Sequence, residues 1–295
     1  MPQLSVIIVT HNTETLIPSL MGSLFTSLKH WGRKAEVVVI DNASNDGTQT
    51  LINKEFLKVK LIENKDNYGY AKANNQGIKI AKGAYILLLN SDIILNSDVL
   101  TKMISYLEKN PEVGVITCKL ILPDGNIDPA CHRGFPTPWA SLTYFLGLEN
   151  LFPKIPLFSQ YHLWFKSLDT IHEIDSPSGA FYLIRKKVID SIGLLDEKFF
   201  MYGEDLDWSY RIKKAGWKII FNPQAQITHL KKQSGLKSLD LKTRENTLKA
   251  FYQAMKVFYD KHYQKKFPLY TRYLIFKMID FKEITSFIKL KFLWI

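Results

Sequence analysis

The chain has 295 residues, of which 46% are hydrophobic and 23% are charged, as is typical of a folded protein. This length allows one large α/β domain, or one domain with an appendage. Cys118 and Cys131 lack the spacing of a metal site, so we expect two reduced thiols, as in a cytosolic protein. We expect neither a secretory leader nor a membrane-spanning helix, since no uncharged stretch reaches about 18 to 20 residues.

The net charge of +11 is concentrated near the end of the chain. Residues 246–295 hold ten Lys and Arg against three Asp and Glu. A basic segment of this kind predicts an anionic partner, either a membrane surface or a nucleic acid. Nucleic acid is the weaker alternative, because no nucleic-acid fold motif is visible and packing or lipid contact explains the aromatic residues there.

Strands and helices alternate through about residue 120. The predicted strands are 4–10, 36–40, 59–63, 84–89 and 113–118, and the predicted helices are 14–28, 48–56, 71–81 and 98–110. This alternation predicts a mostly parallel sheet with helices on its faces. In such sheets ligands bind beyond the carboxyl ends of the strands. Polar and acidic residues lie at these ends, namely Thr10, Asp41, Glu63 and Asp92.

The second half of the chain is less regular. Residues 124–175 predict a long loop region with some helix, which we expect to cover the site. The elements predicted after it are a strand at 175–185, a helix at 186–192, a helix at 205–215, a strand at 217–222, a mobile basic segment at 231–238 and helices at 240–295 that break at Pro268. We therefore predict one domain over 1–238 and a basic amphipathic helical tail over 239–295.

Three carboxylates, Glu204, Asp205 and Asp207, fall within four positions near the start of a predicted helix. Acids in a first turn suit the helix dipole, and Asp207 with Arg211 could form an ordinary surface pair. That explanation suits Glu204 and Asp205 less well, because aromatic residues and a glycine flank them in the sequence. A carboxylate in an aromatic pocket has a raised pKa and suits general base catalysis.

Two further positions could hold a metal ion. Asp92 follows a buried strand, where a carboxylate can bind Mg²⁺ or Mn²⁺ together with substrate phosphates. The alternative is a turn or helix-cap acid, because Ser97 and Asp98 follow closely. His229 could complete a divalent site, although a lone histidine is more often a satisfied polar residue. The segment 67–75 opens a helix with small residues and amides, which allows a nucleotide to approach closely.

Taken together, these segments resemble family 2 glycosyltransferases of the GT-A fold, especially their rhamnosyltransferase-like branch. The resemblance covers about residues 3–235, and its motifs occur in the order of the family. The matching segments are 9–12, 41–44, 67–75, 90–92, 178–180 and 199–211, followed by Pro223 and His229.

The resemblance implies a role for each matching residue. The contacts to the nucleotide base and ribose would be Thr10, Asn12 and Asp41. The lining of the same pocket would include Asn67, Gly69, Ala71, Lys72 and Asn75, with Asn90 and Ser91 beside the metal acid. Asp92 would be the metal-binding acid, and His229 would be a second contact to the metal or to the diphosphate. The acceptor side would hold Asp205 as catalytic base, Glu204 to place the acceptor, and Gly179 at its border. Asn90 stands where a strict DxD motif has its first acid. The contact that this acid makes to the ribose must therefore differ here.

The resemblance implies an inverting glycosyltransferase that uses Mg²⁺ or Mn²⁺. Its donor would be a nucleotide-diphosphate sugar, with dTDP-rhamnose favoured, and its acceptor a glycan or lipid-linked glycan of a cell-surface polysaccharide. The basic tail would lie on an anionic membrane, which places the protein in the cytoplasm on the inner face of the cell membrane. For the tail, the alternative is an apolar helix stripe that packs on the domain. For the protein, the alternatives are an inert nucleotide- or glycan-binding relative and a nucleotidyltransferase, although the latter would need a Gly-rich basic loop after the first strand.

Overall fold

A computed structural model describes residues 1–231 and 241–292 of the chain. The strands are β1 (Leu4–Thr10), β2 (Ala35–Asn42), β3 (Lys60–Asn64), β4 (Tyr85–Asn90), β5 (Ile93–Leu95), β6 (Val113–Ile121), β7 (His172–Glu173), β8 (Phe181–Arg185) and β9 (Lys218–His229). The helices are α1 (Ile17–Trp31), α2 (Thr48–Glu55), α3 (Tyr70–Ile80), α4 (Val99–Lys109), α5 (Pro138–Phe145), α6 (Leu148–Leu151), α7 (Lys186–Ile192), α8 (Glu204–Lys214), α9 (Leu241–His262) and α10 (Leu269–Phe292).

The strands form one mixed sheet in the order β3-β2-β1-β4-β8-β6-β9-β5, and β7 pairs with β9 off this path. The first four strands in this order are parallel, and their apolar residues are buried because the strands alternate with helices that pack on the sheet. The register sets Thr10 opposite Asp41 and Val9 opposite Asn90. The polar carboxyl ends predicted from the sequence therefore meet at one edge of the sheet.

The second half of the sheet departs from the predicted parallel pattern. β8 runs antiparallel to both of its neighbours, and it begins at Phe181 rather than at the predicted residue 175. β5 was not predicted, since it has only three residues. β9 continues past the predicted end at residue 222. Its pairing with β6 skips from Asn222 to Gln226, so Pro223 is not paired with β6 and does not end the strand.

The irregular segment 124–175 contains more structure than its sequence predicts. It includes a 3-10 turn at Pro129–Cys131, the helices α5 and α6, and the short strand β7. Its residues also enter the interior, since His132 and Arg133 are buried. Cys131 and Cys118 are both buried and free of disulfide bonds, as the sequence predicts.

The tail helix α9 packs on the domain through an apolar cluster that contains Phe199, Leu206, Ala254, Phe258, Tyr259 and Tyr263. Beside this cluster the buried Asp207 accepts hydrogen bonds from His262 at 2.7 Å and Arg211 at 3.0 Å, and pairs with Lys261 at 2.7 Å. Burial alone would raise the pKa of Asp207, but His262 and Lys261 lower it to about 2. α9 therefore follows the alternative in which the apolar stripe packs on the domain.

The predicted boundary at 238/239 and most of the predicted mobile segment lie in 232–240, outside the described residues. The division into a domain and a tail therefore stays a prediction. Within the described ranges, every helix is too short or too polar to span a bilayer.

Candidate active site

The loops after β1 and β2 form one hydrogen-bonded group at the sheet edge. The Thr10 hydroxyl donates to Asp41 Oδ2 at 2.9 Å, and the Gln49 amide donates to Asp41 Oδ1 at 2.6 Å. Asn12 has a positive φ of 54°, and its backbone N–H donates to the Ser44 hydroxyl at 2.8 Å. The structure thus brings Thr10, Asn12 and Asp41 together, as expected for one binding surface.

The segment before and within α3 lies against the acidic segment near residue 200. The backbone N–H of Tyr70 donates to the Phe200 carbonyl at 2.7 Å, and the Asn67 side chain accepts from Gly69 N–H at 3.0 Å. Gly69 has a φ of +81°, and a side chain there would collide with the Phe200 carbonyl oxygen. A glycine is therefore required where this loop contacts the acidic segment.

The remaining predicted residues of this loop have different surroundings. Ala71 is fully buried, and the Lys72 ammonium lies 4.3 Å from the centre of the Tyr68 ring. The Asn75 amide donates to the Leu195 carbonyl at 3.0 Å and to Glu197 at 2.9 Å, and its oxygen accepts from Leu195 N–H at 3.1 Å. The structure thus gives Asn75 a role in holding the loop after α7, while its nucleotide contact stays a prediction.

The loop after β4 is joined to the segment before β8. The backbone N–H of Asn90 donates to the Ala180 carbonyl at 3.1 Å, and Ser91 follows as a half-buried residue. The Tyr70 hydroxyl donates to the Gly179 carbonyl at 2.9 Å, and a side chain at Gly179 would approach that hydroxyl to 2.7 Å. Asn90 is thereby joined to the segment before β8, and Gly179 is joined to the start of α3.

Asp92 and His229 are brought together by the unpredicted pairing of β5 with β9. Ile93 lies opposite His229 in that pairing, and Asp92 Oδ1 is 3.2 Å from His229 Nε2. The other ring nitrogen, Nδ1, lies 2.7 Å from Asp128 Oδ2, and Lys231 binds the second oxygen of Asp128 at 2.8 Å. Sequence reasoning missed Asp128, because it lies 101 residues from His229 in an irregular segment.

The two carboxylates control the protonation of His229. Burial alone would lower its pKa, but hydrogen bonds to Asp128 and Asp92 raise the pKa of His229 to about 9. Burial raises the pKa of Asp128, while His229 and Lys231 outweigh this effect and hold it well below its usual range. At neutral pH the ring is therefore an imidazolium ion between two carboxylates.

Asp92 and His229 fit a divalent cation as a pair of ligands. Mg²⁺ and Mn²⁺ are often held by one or two protein groups, with water and substrate phosphate oxygens completing the shell. Asp128 would orient the ring from its far nitrogen, as is usual for histidine ligands, although the ring must first lose its proton. Across residues 1–231 and 241–292, no cluster of three His, Cys, Asp or Glu side chains could hold a metal without such substrate oxygens.

The acidic pair Glu204 and Asp205 forms the first turn of α8, just after Gly203. Gly203 adopts a left-handed φ of 79°, and a side chain there would contact Phe199 and Ala254 at 3.1 to 3.2 Å. Asp205 Oδ2 accepts a hydrogen bond of 2.6 Å from the buried Arg133 guanidinium. Sequence reasoning missed Arg133, because a lone arginine in an irregular segment gives no signal of its distant partner.

Glu204 and Asp205 have different environments. Glu204 Oε2 is buried and has no hydrogen-bond partner within the part of the chain that the structure describes. Burial, followed by repulsion from Asp205, raises the pKa of Glu204 to about 8. Burial lowers the pKa of Arg133, but the Asp205 carboxylate outweighs this and raises it. Glu204 therefore keeps its proton at neutral pH, while the Asp205 carboxylate is paired with a guanidinium.

A cavity of about 450 Å³ opens beside this acidic pair. Its lining includes the charged or acidic residues Asp128, Arg133, Glu204, Asp205 and Lys231. It also includes Tyr161, His162, Tyr202 and residues of α5, α9 and α10. The volume lies within the range of small-molecule sites. A nucleophile held here would face two neighbouring carboxyl groups in different environments, which is an arrangement suited to proton transfer.

Comparison with solved structures defines the class of fold. A mannosyltransferase from Pyrobaculum calidifontis, solved with GDP-Man and Mn²⁺, aligns with a TM-score of 0.56 and 17% identity over 86% of this chain and 64% of its own. GalNAc-T7, solved with UDP, GalNAc and Mn²⁺, aligns with a TM-score of 0.59 and 18% identity over 91% of this chain and 52% of its own. The structure therefore has the GT-A fold, as the sequence predicts.

Comparison with families gives a narrower assignment. The model of glycosyl transferase family 2 matches residues 5–167, and the chain belongs to that family. An N-acetylglucosaminyl-diphospho-decaprenol L-rhamnosyltransferase of Mycobacterium tuberculosis is 25% identical over 78% of this chain and 77% of its own. A poly-β-1,6-N-acetyl-D-glucosamine synthase of Staphylococcus aureus is 28% identical over 91% of this chain and 59% of its own. The predicted family is thus confirmed.

The raised pKa of Glu204 predicts a pH-dependent stability. Between pH 4.5 and about 8 the folded protein keeps a proton on Glu204 that the unfolded chain has lost. The stabilisation from this proton is complete below the unfolded pKa and is lost as the pH rises through the folded pKa. We expect the Tm of the wild type to fall more steeply across this window than the Tm of Glu204→Gln, as measured by thermal unfolding.

The exposed Glu55, replaced by Gln, serves as the matched control and should follow the wild type. Parallel curves for the wild type and Glu204→Gln would show that Glu204 titrates normally in the folded protein.

Proposed function

We propose that this protein is an inverting glycosyltransferase. It would move a sugar from a nucleotide-diphosphate donor, with dTDP-rhamnose favoured, to a hydroxyl of a glycan or lipid-linked glycan. The observation that carries the proposal is the buried pair Glu204 and Asp205 in the lining of a cavity, beside the segment 67–75 of a family 2 fold. The similarity to a mycobacterial rhamnosyltransferase with a lipid-diphosphate acceptor supports the donor and the acceptor class.

The donor would bind across the sheet edge. Thr10, Asn12 and Asp41 would hold its base and ribose, and its diphosphate would lie near Asp92 and His229. A bound Mg²⁺ or Mn²⁺ would neutralise charge on the departing diphosphate. The Mn²⁺ complexes of two structural neighbours support a divalent cation, and the Asp92–His229 pair supports its position.

The acceptor would bind on the cavity side of the acidic pair. Asp205 takes the proton of the acceptor hydroxyl as the oxygen of that hydroxyl attacks the anomeric carbon. The bond from that carbon to the donor diphosphate breaks on the opposite face, so one displacement inverts the configuration. Arg133 fixes the orientation of Asp205, and the protonated Glu204 can donate a hydrogen bond to an acceptor oxygen.

We also propose that the protein lies on the inner face of the cell membrane, in the cytoplasm, through α10. Large apolar side chains are exposed on this helix, namely Leu269, Tyr270, Tyr273, Leu274, Phe281, Ile284 and Ile288. The neighbouring segment 138–157, which contains α5 and α6, exposes others, including Trp139, Leu146, Leu151 and Leu157. Lys282 of α10 donates to the Phe145 carbonyl at 3.1 Å, which joins the two surfaces. Each basic residue near an anionic leaflet contributes about 1 kcal/mol.

Donor binding should raise the Tm of the protein. Among nucleotide-diphosphate sugars we expect dTDP-rhamnose with Mn²⁺ to stabilise most, by about 2.7 kcal/mol at about 100 times its Kd. The response should disappear with a chelator and in Asp92→Asn, because that variant loses a predicted metal contact. Asp98→Asn is the control, because this residue directly precedes α4 and its side chain is 39% exposed. A flat response across the panel in the presence of acceptor and membrane would favour an inert relative.

Replacing Asp205 should separate binding from transfer. We expect Asp205→Asn to keep the donor-induced shift in Tm but to lose about 10²- to 10⁴-fold in the rate of transfer, because the acceptor hydroxyl keeps its proton. The measurement is single-turnover transfer from a labelled donor, with the exposed Asp190→Asn as control. Near-normal transfer by Asp205→Asn would exclude Asp205 as the base.

Membrane binding should depend on the exposed face of α10. We expect Leu274→Gln with Phe281→Gln to lose co-sedimentation with vesicles that contain phosphatidylglycerol, because both side chains are more than half exposed in solution. Leu57→Gln, which is 83% exposed on a different surface, is the control. Equal sedimentation of the double variant and the control would argue against a membrane contact through α10.

A further inference from the structure

The irregular segment 124–175 contains a carboxylate–histidine pair that differs from Asp128 and His229. His162 Nδ1 lies 2.5 Å from Oε1 of Glu149, which belongs to α6. The Glu149 side chain is 2% exposed, and the His162 side chain is 13% exposed. His162 lines the cavity beside the acidic pair, but the proposed transfer reaction gives it no role.

A purely structural role explains the pair of Glu149 and His162 poorly. Both groups lose water on folding, and apolar side chains of similar volume often fill such positions with equal or greater stability. Glu149 Oε2 is also buried and has no hydrogen-bond partner within residues 1–231 and 241–292. The clearest effect of the carboxylate is therefore to fix the orientation of the histidine ring.

This hydrogen bond determines which ring nitrogen can meet a ligand. In the neutral ring, Nδ1–H donates to Glu149, so Nε2 of His162 keeps a lone pair that accepts a hydrogen bond. Nε2 is not fully buried, and it has no partner within the part of the chain that the structure describes. An oriented acceptor in the lining of a cavity fits a hydroxyl group of a ligand.

The neighbouring side chains also suit a saccharide. Tyr144 and Tyr161 line the same cavity, and their ring centres lie 5.5 and 4.7 Å from that of His162. Ser141 of α5 adds a hydroxyl group to the lining. Aromatic rings with a few polar groups at their edges match the C–H faces and the hydroxyl groups of a sugar.

The backbone around His162 is joined to the residues on both sides of Arg133. Gly134 N–H donates at 2.8 Å to the carbonyl of the residue before His162, and the His162 carbonyl lies 2.9 Å from His132 Nδ1. Arg133 itself holds the proposed base, Asp205. His162 and Asp205 are therefore fixed by one framework and line one cavity.

We infer that His162 is a specificity-determining residue for the acceptor saccharide and that Glu149 positions its ring. Nε2 accepts a hydrogen bond from one acceptor hydroxyl, while a different hydroxyl of the same sugar reacts at Asp205. This inference rests on the proposed function, because it assigns a second contact within the same acceptor site.

The first test measures saccharide binding without a reaction. Saturation-transfer NMR is recorded on the full-length protein with the methyl glycosides of glucose, N-acetylglucosamine, galactose, mannose and rhamnose at millimolar concentration. We expect the wild type to bind at least one of them and His162→Phe to bind it about tenfold more weakly, because one hydrogen bond is lost. Failure of the wild type to bind any glycoside, or equal binding by His162→Phe, would overturn the inference.

A conservative variant separates the hydrogen bond from packing. His162→Gln keeps an amide near the position of Nε2, so we expect it to bind the glycoside more tightly than His162→Phe does. His30→Phe, at an exposed position of α1, is the matched control and should bind as the wild type does. Far-UV circular dichroism verifies that each variant is folded. An equal loss in the Gln and Phe variants, or a loss in the control, would overturn the inference.

The role of Glu149 has a readout that packing alone does not change. The ¹⁵N chemical shifts of the His162 ring report which nitrogen carries the proton, and we expect Nδ1–H in the wild type. Glu149→Leu keeps a side chain of similar volume but should lose this preference and weaken glycoside binding. The same tautomer and the same binding in folded Glu149→Leu would reject Glu149 as a positioning residue.

The transfer reaction distinguishes this inference from the proposed function. With the bound glycoside as acceptor, His162→Phe should raise the KM for the acceptor by a larger factor than it lowers kcat, and it should keep the donor-induced shift in Tm. Donor binding together with glycoside binding that does not depend on His162 would reject the inference and leave the transferase proposal intact. Glycoside binding that depends on His162, without any response to nucleotide sugars, would support the saccharide site and reject the transferase.

Discussion

The ion pair between Arg133 and Asp205 is the interaction on which the site depends. Both groups are buried, and a buried charge is tolerated only when a partner of opposite charge and further hydrogen bonds accompany it. Arg133 also donates to the Pro177 carbonyl, while its own carbonyl accepts from the backbone N–H groups of Asp175 and Ser176. One arginine therefore fixes the acidic helix and the loop before β8 in a single arrangement.

The irregular segment 124–175 builds the site as well as covering it. It supplies Asp128 to His229 and Arg133 to Asp205, so the predicted metal contact and the predicted catalytic base each have a charge partner there. The two neighbouring acids differ because Arg133 binds only Asp205, while burial and the charge of Asp205 raise the pKa of Glu204. The surroundings of both His229 and Asp205 thus depend on one stretch of chain.

The sequence predicted the parallel half of the sheet well, because buried strands and amphipathic helices are local patterns. It also predicted that Thr10 and Asp41 lie at one edge of the sheet, since parallel strands bring their carboxyl ends together. Asn12 was predicted only from the family resemblance. It could not predict β5, the full length of β9, or the partners Asp128 and Arg133. Those features depend on contacts between residues some 70 to 140 positions apart, for which a single sequence carries no periodic signal.

The close contact between Gly69 and the Phe200 carbonyl limits how this chain could be recombined with its relatives. A chimera that joins the segment around Gly69 from one relative to the segment around Phe200 from another would need a glycine at position 69 and an unchanged backbone path at residue 200. Replacement of α5, α9 and α10 alone would leave this contact native, because none of these helices contains either residue.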